Sequence, residues 1–583
     1  MKTSKKYLVL FLSSIIFNSV LANDEDDLLL SIFNEDWIYL LEQNPVYATS
    51  LGEKGFESKW KNLTLESFEK REQHTVQVIN RLNRIKTEEL SEDNKLNFRL
   101  FKQKKIEELA IKKFDHHLLP FNHRGGIQLA HESTESLKLS SLKDYRDWLE
   151  RIKNLDINIE QTIILARQGM KEGFVAPRVL MERVYRQIQI QSKSSVDKHP
   201  FLKVFKEMPN SIAQQEREQL MNEAQQIILN KIIPAYKKLD TFFVDEYLPS
   251  ARSTVGIYDT PNGKDYYELI ANIFTTTNMT PEQIHNLGLN EVKRIRKEMM
   301  SIIEDLNFDG NFQDFLSFLR TDDSFYYQSP DELFRDYLAI AKRIDPELTK
   351  LFKTLPRTPY GLRPIPIESA PDTTTAYYMP PSPDGSRPGY YYVNLYKPET
   401  RPKFEMEVLT VHEAMPGHHL QISLALEKED LPMFRRTSPY TVFVEGWGLY
   451  SEVLGYELGL YKDPYSRFGQ LTYDMWRAVR LVVDTGIHFF EWDRQRAIDF
   501  FMQNAGKSKL DIINEIDRYI NWPGQALAYK VGQLKLLELR ARAEETLGNK
   551  FNIREFHDAL LKEGALPLNE VETIVNNYIN QNQ

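Results

Sequence analysis

The segment His412-Glu413-Ala414-Met415-Pro416-Gly417-His418-His419 places three imidazoles and a carboxylate within eight residues, in a chain with 12 His among 583 residues. That mixture suits a divalent metal used for hydrolysis. Zinc takes neutral imidazoles and a carboxylate as ligands and keeps one position open for water. A Glu directly after the first ligand stands where a base for that water is needed. Packing alone is a poor reason for such a polar cluster in an apolar helical run, here 404–426.

The spacing is unusual. In the familiar H-E-x-x-H arrangement the two histidines lie four residues apart, close to one face of a helix. Here the next His after His412 is six residues on, which on a regular helix adds about 9 Å of rise and turns the ring away. Pro416 has no N–H for the carbonyl of His412, and Gly417 tolerates backbone angles that other residues avoid. The Pro-Gly pair is therefore expected to bulge the helix and bring His418 round as the second ligand. His419 faces the right way without distortion but lies about 10 Å along the axis. His418 is the favoured ligand and His419 the alternative.

A third ligand is expected on a later helix. Glu445 sits in the apolar run Val442-Phe443-Val444-Glu445-Gly446-Trp447-Gly448. A buried carboxylate costs several kcal/mol unless a cation meets it, about as much as an ion pair broken by losing one partner. Zinc or an Arg could supply that cation, and Glu452, two turns on, is a weaker substitute ligand. The neighbouring glycines suggest close approach of another helix.

Two further helical runs carry polar groups. Arg480, Asp484 and His488 repeat every four residues and make one stripe, with Arg477 beside it, on an otherwise apolar run 474–490. Arg477 or Arg480 could grip a substrate carboxylate. His488 could donate to an oxyanion, and Asp484 could orient a metal-bound His. A buried network of ion pairs is the competing reading for each. In the run after Trp522-Pro523-Gly524, Tyr529 and Gly532 share a face, and Gly532 suggests close approach of a backbone or ligand. Lys530 points elsewhere and is a weaker substrate-binding candidate. Tyr392 and Asn394, in Gly389-Tyr390-Tyr391-Tyr392-Val393-Asn394, could bind a peptide backbone by strand addition if that edge is exposed.

The elements that must position these groups are mostly helices. Apolar residues recur at three- and four-residue spacings over 29–43, 65–85, 91–114, 141–171, 216–247 and 281–305. One stretch, 354–402, is rich in Pro, Gly, Tyr and Thr, and within it 373–379 and 389–395 read as strands around the turn 380–388. The expected fold is mainly α, one large body over 23–583 with two lobes around a deep cleft. Its small β-sheet lies within 354–402, next to the metal helix, and its metal-binding core spans 404–540.

Residues 1–22 read as an export leader. Lys2, Lys5 and Lys6 precede the apolar run 7–17, and Val20 and Ala22 suit cleavage after Ala22. Without the leader's three lysines the formal charge moves from −9 to −12. An acidic body without a basic stripe argues against nucleic acid, and beyond the leader no apolar run is long enough for a membrane span. With no cysteine there is neither a disulfide framework nor a thiol for N-terminal lipidation. The expected location is periplasmic or secreted.

Four motifs, in order, carry a resemblance. They are His412-Glu413-Ala414-Met415-Pro416-Gly417-His418-His419-Leu420-Gln421, Glu445-Gly446-Trp447-Gly448-Leu449-Tyr450, 480–488 and 523–530. As a set they resemble the bacterial domain-of-unknown-function family 885 (DUF885) over nearly the whole chain beyond the leader. That family resembles the helical zinc metallopeptidases that include angiotensin-converting enzyme and thimet oligopeptidase. The resemblance implies a helical fold with a deep channel and His, His, Glu zinc ligands. Tyr529 could then donate its hydroxyl to the tetrahedral intermediate, as a tyrosine does in those peptidases.

The resulting expectation is a peptidase holding one Zn2+ per chain, with Glu413 as general base, carboxypeptidase-like if an Arg binds a terminal carboxylate. A zinc amidohydrolase acting on a non-peptide or cell-wall amide is the second reading. A non-catalytic periplasmic peptide-binding protein is the third.

Overall fold

A computed structural model describes residues 24–583, apart from 138, 368–369, 371–372 and 383–386. The export leader and the middle of the turn 380–388 therefore lie outside the described residues. The fold is mainly helical with one small sheet. The N-terminal helix begins at Asp24, and its acidic first turn, Asp24 to Asp27, complements the positive end of the helix dipole.

The periodic runs appear as helices with two differences. The run 141–171 is two helices, Leu142–Lys153 and Leu155–Glu172, which meet at Asn154 outside regular helical geometry. The run 216–247 is continuous but widens into π-turns at Ile228–Ile232 and Phe243–Tyr247. Each widened turn lies just before a proline, Pro234 or Pro249, whose missing N–H breaks the regular ladder.

The elements around the site are helices α1 (Gly263–Thr275) and α2 (Pro281–Asp305), strands β1 (Tyr360–Pro364), β2 (Ala376–Met379) and β3 (Gly389–Val393), then α3 (Met406–Glu413), α4 (His418–Leu426), α5 (Thr441–Leu454), α6 (Pro464–His488), α7 (Lys509–Asn521) and α8 (Ala528–Leu547). Helix α2 starts with a capping box in which Thr280 and Gln283 satisfy each other's backbone N–H.

The sheet has three strands in the order β1-β3-β2. Strand β3 pairs parallel with β1, Tyr360 opposite Gly389, and antiparallel with β2, Ala376 opposite Val393. Strand β1 was not expected from the sequence, because Arg363 and Pro364 obscure its pattern; an edge strand tolerates proline. Strand addition at Gly389–Val393 is corrected by this order. Strand β3 is central, so both of its backbone edges are paired, and the free edges belong to β1 and β2.

Two large apolar cores meet at α6. One gathers helices from the first half of the chain with Phe468, Met475, Val479, Val482 and Val483 of α6. The other gathers β3, α3, α5 and α8 with Tyr473 of α6, and Trp476 packs against both. A helix enclosed on almost every face is apolar almost all round, which explains the composition of 474–490.

Candidate metal centre

Helix α3 carries His412 and Glu413 at its C-terminal end. The chain then leaves helical geometry at Ala414 (φ −102°, ψ −109°), passes a cis Met415–Pro416 bond and re-enters a helix at His418. The expected bulge within one helix is thus a break between two. Its backbone is closed by Gly417 N–H donating to Val411 O (3.0 Å) and His419 N–H donating to Ala414 O (3.1 Å). Trp447 of α5 donates from Nε1 to Pro416 O at 2.9 Å and ties the break to the next ligand helix. At Gly417 a Cβ would lie 2.0 Å from His412 O, so no side chain fits.

Glu445 reaches the same point from α5. Helices α5 and α8 pack backbone to backbone, since a Cβ on Gly446 would lie 2.7 Å from Gly532 and one on Gly532 2.1 Å from Val442 O. The expected close approach at Gly532 is therefore to a helix. Gly448 serves the ring instead: a Cβ there would come within 2.7 Å of the His412 imidazole.

These elements bring His412, His418 and Glu445 together, with one ligand atom from each within 4.8 Å of the others. His412 Nε2 is 3.8 Å and His418 Nε2 3.5 Å from Glu445 Oε2. Glu445 Oε2 is buried and has no hydrogen-bond partner. Two imidazole nitrogens and a carboxylate oxygen converging in a largely buried site form a donor set that fits a divalent cation such as zinc.

Surrounding charge sets the protonation of each group. Burial, then the charges of His418, Arg477 and Arg480, push His412 well below its usual range and keep it neutral, as a ligand must be. Burial works against the charged form of His418, but its pairing with Glu445 outweighs that and raises it. Burial raises Glu445 while His418 and the Tyr529 hydroxyl bring it down, with a net lowering. Glu413 is raised by burial and by the Glu445 charge, against His418, Arg477 and the Tyr378 backbone.

The family model of a bacterial protein of unknown function, DUF885, matches residues 45–575. The chain belongs to this family. The DUF885 protein is also similar to the crystal structure of "the putative lipoprotein from Colwellia psychrerythraea", with TM-score 0.89 and 28% identity, over 96% of this chain and 99% of that one. A "putative lipoprotein of unknown function" from Shewanella oneidensis shares the fold at TM-score 0.73 and 17% identity, over 94% and 99% of the two chains. No curated protein matches the sequence.

Beside the DUF885 triad stands Tyr529. Its hydroxyl accepts from Arg518 Nη2 at 3.1 Å and acts on Glu445. His419 faces the sheet: its Nε2 meets Thr358 O at 3.1 Å, its Nδ1 meets Tyr378 Oη at 2.8 Å, and burial pulls it down to about 4.

Several sequence-derived assignments are corrected. Glu452 is not a substitute ligand; its Oε1 lies 2.8 Å from His412 Nδ1, on the far side of the ring from the triad. That contact, and not Asp484, orients the His. Asp484 accepts from Tyr267 Oη (2.6 Å) and Gly524 N (3.0 Å) instead. His488 has both nitrogens engaged by backbone, Nδ1 accepting from Ile257 N at 3.0 Å and Nε2 donating to Tyr519 O at 2.9 Å, so it has no proton for an oxyanion.

The arginine clamps are corrected too. Arg477 pairs with Glu452 at 3.3 Å, and Arg480 with Glu515 at 3.1 Å and with Tyr519 Oη at 2.9 Å. Lys530 is buried between Asp474 (2.5 Å), Gln533 (2.8 Å) and Glu291 (3.0 Å). Asn394 uses its amide on the carbonyls of Ala370, Thr373 and Thr374 and holds the loop before β2. Tyr392 stacks on Tyr377 (4.9 Å), and by strand alternation both lie on the sheet face opposite Tyr391, which is the face buried with α3.

Arg518 was missed by the sequence reading. It stands on α7 at 518, 11 residues before Tyr529. No periodicity links the two; only the fold of α7 against α8 does.

Proposed function

We propose that this DUF885 protein is a zinc-dependent peptidase in which His412, His418 and Glu445 hold one Zn2+ and Glu413 is the general base. The observation that carries the reading is the convergence of two imidazole nitrogens and a Glu445 oxygen that makes no hydrogen bond, within 4.8 Å, with Glu413 next in sequence to His412 and Tyr529 acting on Glu445. When bound, the metal would polarise the scissile carbonyl and acidify water.

The chain's own residues do the rest. Glu413, whose raised carboxyl can both take and return a proton, accepts the proton of the attacking water and passes it to the departing amine. Tyr529 donates its hydroxyl to the oxygen that gains charge as the carbonyl is attacked. Glu452 holds Nδ1 of His412, leaving Nε2 for the metal. Strand β2 offers a sheet edge beside α3 along which a peptide could extend, and its Tyr378 backbone acts on the Glu413 carboxyl.

An exported location belongs to the same proposal. It rests on the leader-like residues 1–22 and on the similar structure from Colwellia psychrerythraea described as a putative lipoprotein. Among the described residues no helix is long and apolar enough to cross a membrane.

The test is metal content by mass spectrometry on wild type, His418→Ala and His419→Ala, followed by cleavage of a peptide library. About one zinc in wild type and His419→Ala, none in His418→Ala, and cleavage abolished by Glu413→Gln are the expected results. Wild type that takes up no metal after dialysis against zinc, or zinc-loaded protein that cleaves no peptide, overturns the proposal.

A further inference from the structure

Tyr529 adjoins a group of cations. Arg518 donates from Nη2 to Tyr529 Oη (3.1 Å) and to Gln525 Oε1 (2.8 Å), and a small part of its side chain remains open to solvent. The carboxylate of Glu515 is shared, 3.1 Å from Arg480 and 3.5 Å from Arg518.

A second guanidinium, from a distant part of the chain, lies close enough to feel the Arg518 charge. Arg124 sits in the turn at Asn122–Gly125, which is braced by Gln128 Nε2 donating to Asn122 O and Gly125 O. Its guanidinium lies 5.8 Å from the centre of the exposed Trp522 ring, and that of Arg518 lies 6.0 Å from it, so one indole carries both cations. Among the described residues no ion pair or side-chain hydrogen bond neutralises Arg124. Desolvation by the surrounding chain first, and the Arg518 charge next, pull it below its usual range, although the residue stays exposed to solvent.

Arg480 and Arg518 share the Glu515 carboxylate at 3.1 and 3.5 Å, and Arg124 adds a third guanidinium whose charge Arg518 feels, in a chain whose formal charge is −9; Glu445 and Asp484 are the other carboxylates near Arg518. Such a cluster of guanidinium groups attracts an anion, and a planar fork of donors suits a carboxylate. We propose that Arg124 and Arg518 form a subsite for a carboxylate of the substrate, placed beside Tyr529 so that the bond to be cut lies within one or two residues of that negative group. This rests on the peptidase reading of the triad. Tyr529 joins the two places, since its hydroxyl acts on Glu445 and lies 3.1 Å from Arg518 Nη2. Extended chain rises ~3.4 Å per residue, so one or two residues of substrate suffice to pass from one side of a tyrosine hydroxyl to the other. The arginine clamp expected at Arg477 and Arg480 is thereby moved to two residues on other elements.

A carboxylate can come from the C-terminus of a peptide or from an acidic side chain, and the two are separable. The probes are one N-acetylated pentapeptide as free acid without acidic side chains, the same peptide as C-terminal amide, and the amide with a single Glu next to its last residue. Each is titrated calorimetrically into zinc-loaded protein of the full chain carrying Glu413→Gln, with and without Arg124→Gln. Wild-type cleavage of the three peptides is measured beside it.

The expected result is that the free acid binds about tenfold more tightly than the plain amide, and that Arg124→Gln removes the difference. Tight binding of the Glu-containing amide, equally lost in Arg124→Gln, also supports the subsite and assigns it to a side-chain carboxylate. Equal binding of all three peptides, a preference that survives Arg124→Gln, or no binding overturns it. If wild type cleaves none of the peptides while the preference and its loss remain, the peptidase reading fails and the subsite stands. If wild type cleaves acid and amide alike and binds them alike, the subsite fails and the peptidase reading stands.

Discussion

Glu452 Oε1 lies 2.8 Å from Nδ1 of His412, and the same oxygen lies 3.3 Å from Arg477 Nη2. The buried Glu452 side chain, raised to about 8 by burial against the Arg477 charge, thus engages Nδ1 and leaves Nε2 of His412 to face Glu445. Carboxylates behind metal-bound histidines set the tautomer and orient the ring. Glu452→Gln is expected to weaken zinc binding by about 10- to 100-fold, read by competition with a chelator. Unchanged affinity would show that the pair only fills space.

Gly448→Ala tests whether the His412 ring needs the room it occupies. The new Cβ would come within 2.7 Å of the imidazole, closer than carbon contacts allow, so the ring must move. Loss of zinc with far-ultraviolet circular dichroism unchanged is the expected outcome. A variant that keeps full zinc content would refute it.

Tyr529→Phe removes one hydroxyl that borders Glu445 and leaves the ring packed over Arg480. If that hydroxyl stabilises the charged oxygen, kcat on a cleaved peptide falls roughly 100-fold with KM little changed. A fall confined to KM would assign Tyr529 to substrate binding.

Gly532→Val tests the α5–α8 seam. Its Cβ position lies 2.1 Å from Val442 O, a backbone atom that cannot turn aside. The expected loss is about 3 kcal/mol or more, seen as a lowered Tm, with zinc binding weakened because Glu445 rides on α5. A Tm equal to wild type would show that the seam can open without cost.

Acid stability tests the arginine cluster. Burial raises Glu515, but the Arg518 and Arg480 charges outweigh it and hold the carboxyl down at about 2, against an ordinary 4.5. A carboxyl lowered on folding adds stability that is complete above pH 4.5 and is lost as the pH falls towards 2. The contribution is about 3 kcal/mol. Glu515→Gln should therefore be less stable at neutral pH and show a shallower loss between pH 4.5 and 2, measured by urea unfolding at a series of pH values. Parallel stability curves for the two proteins would contradict this.

The helical body and the clustering of the candidate site residues were legible in the sequence. Three-and-four periodicity declared a helical body, and the density of His412, Glu413, His418 and Glu445 marked one place on it. Glycine in apolar helices at Gly446, Gly448 and Gly532 announced close approach before its partners were known. The preference for His418 over His419 followed from what Pro416 and Gly417 do to a backbone, although the chain breaks its helix there where a bulge was expected.

Tertiary structure alone decided what each polar group meets. Period-four spacing placed Arg480, Asp484 and His488 on one stripe of α6, but the partners that engage them, Glu515, Tyr267 and the Tyr519 carbonyl, come from α7 and α1. Glu452 became the support of His412 across 40 residues, and Arg124 came to face the same indole as Arg518 across almost 400. Local backbone preference and periodicity act over a few residues and fix which face a side chain takes. A charge or a hydrogen bond is satisfied by whatever lies across that face, and only the folded chain supplies it.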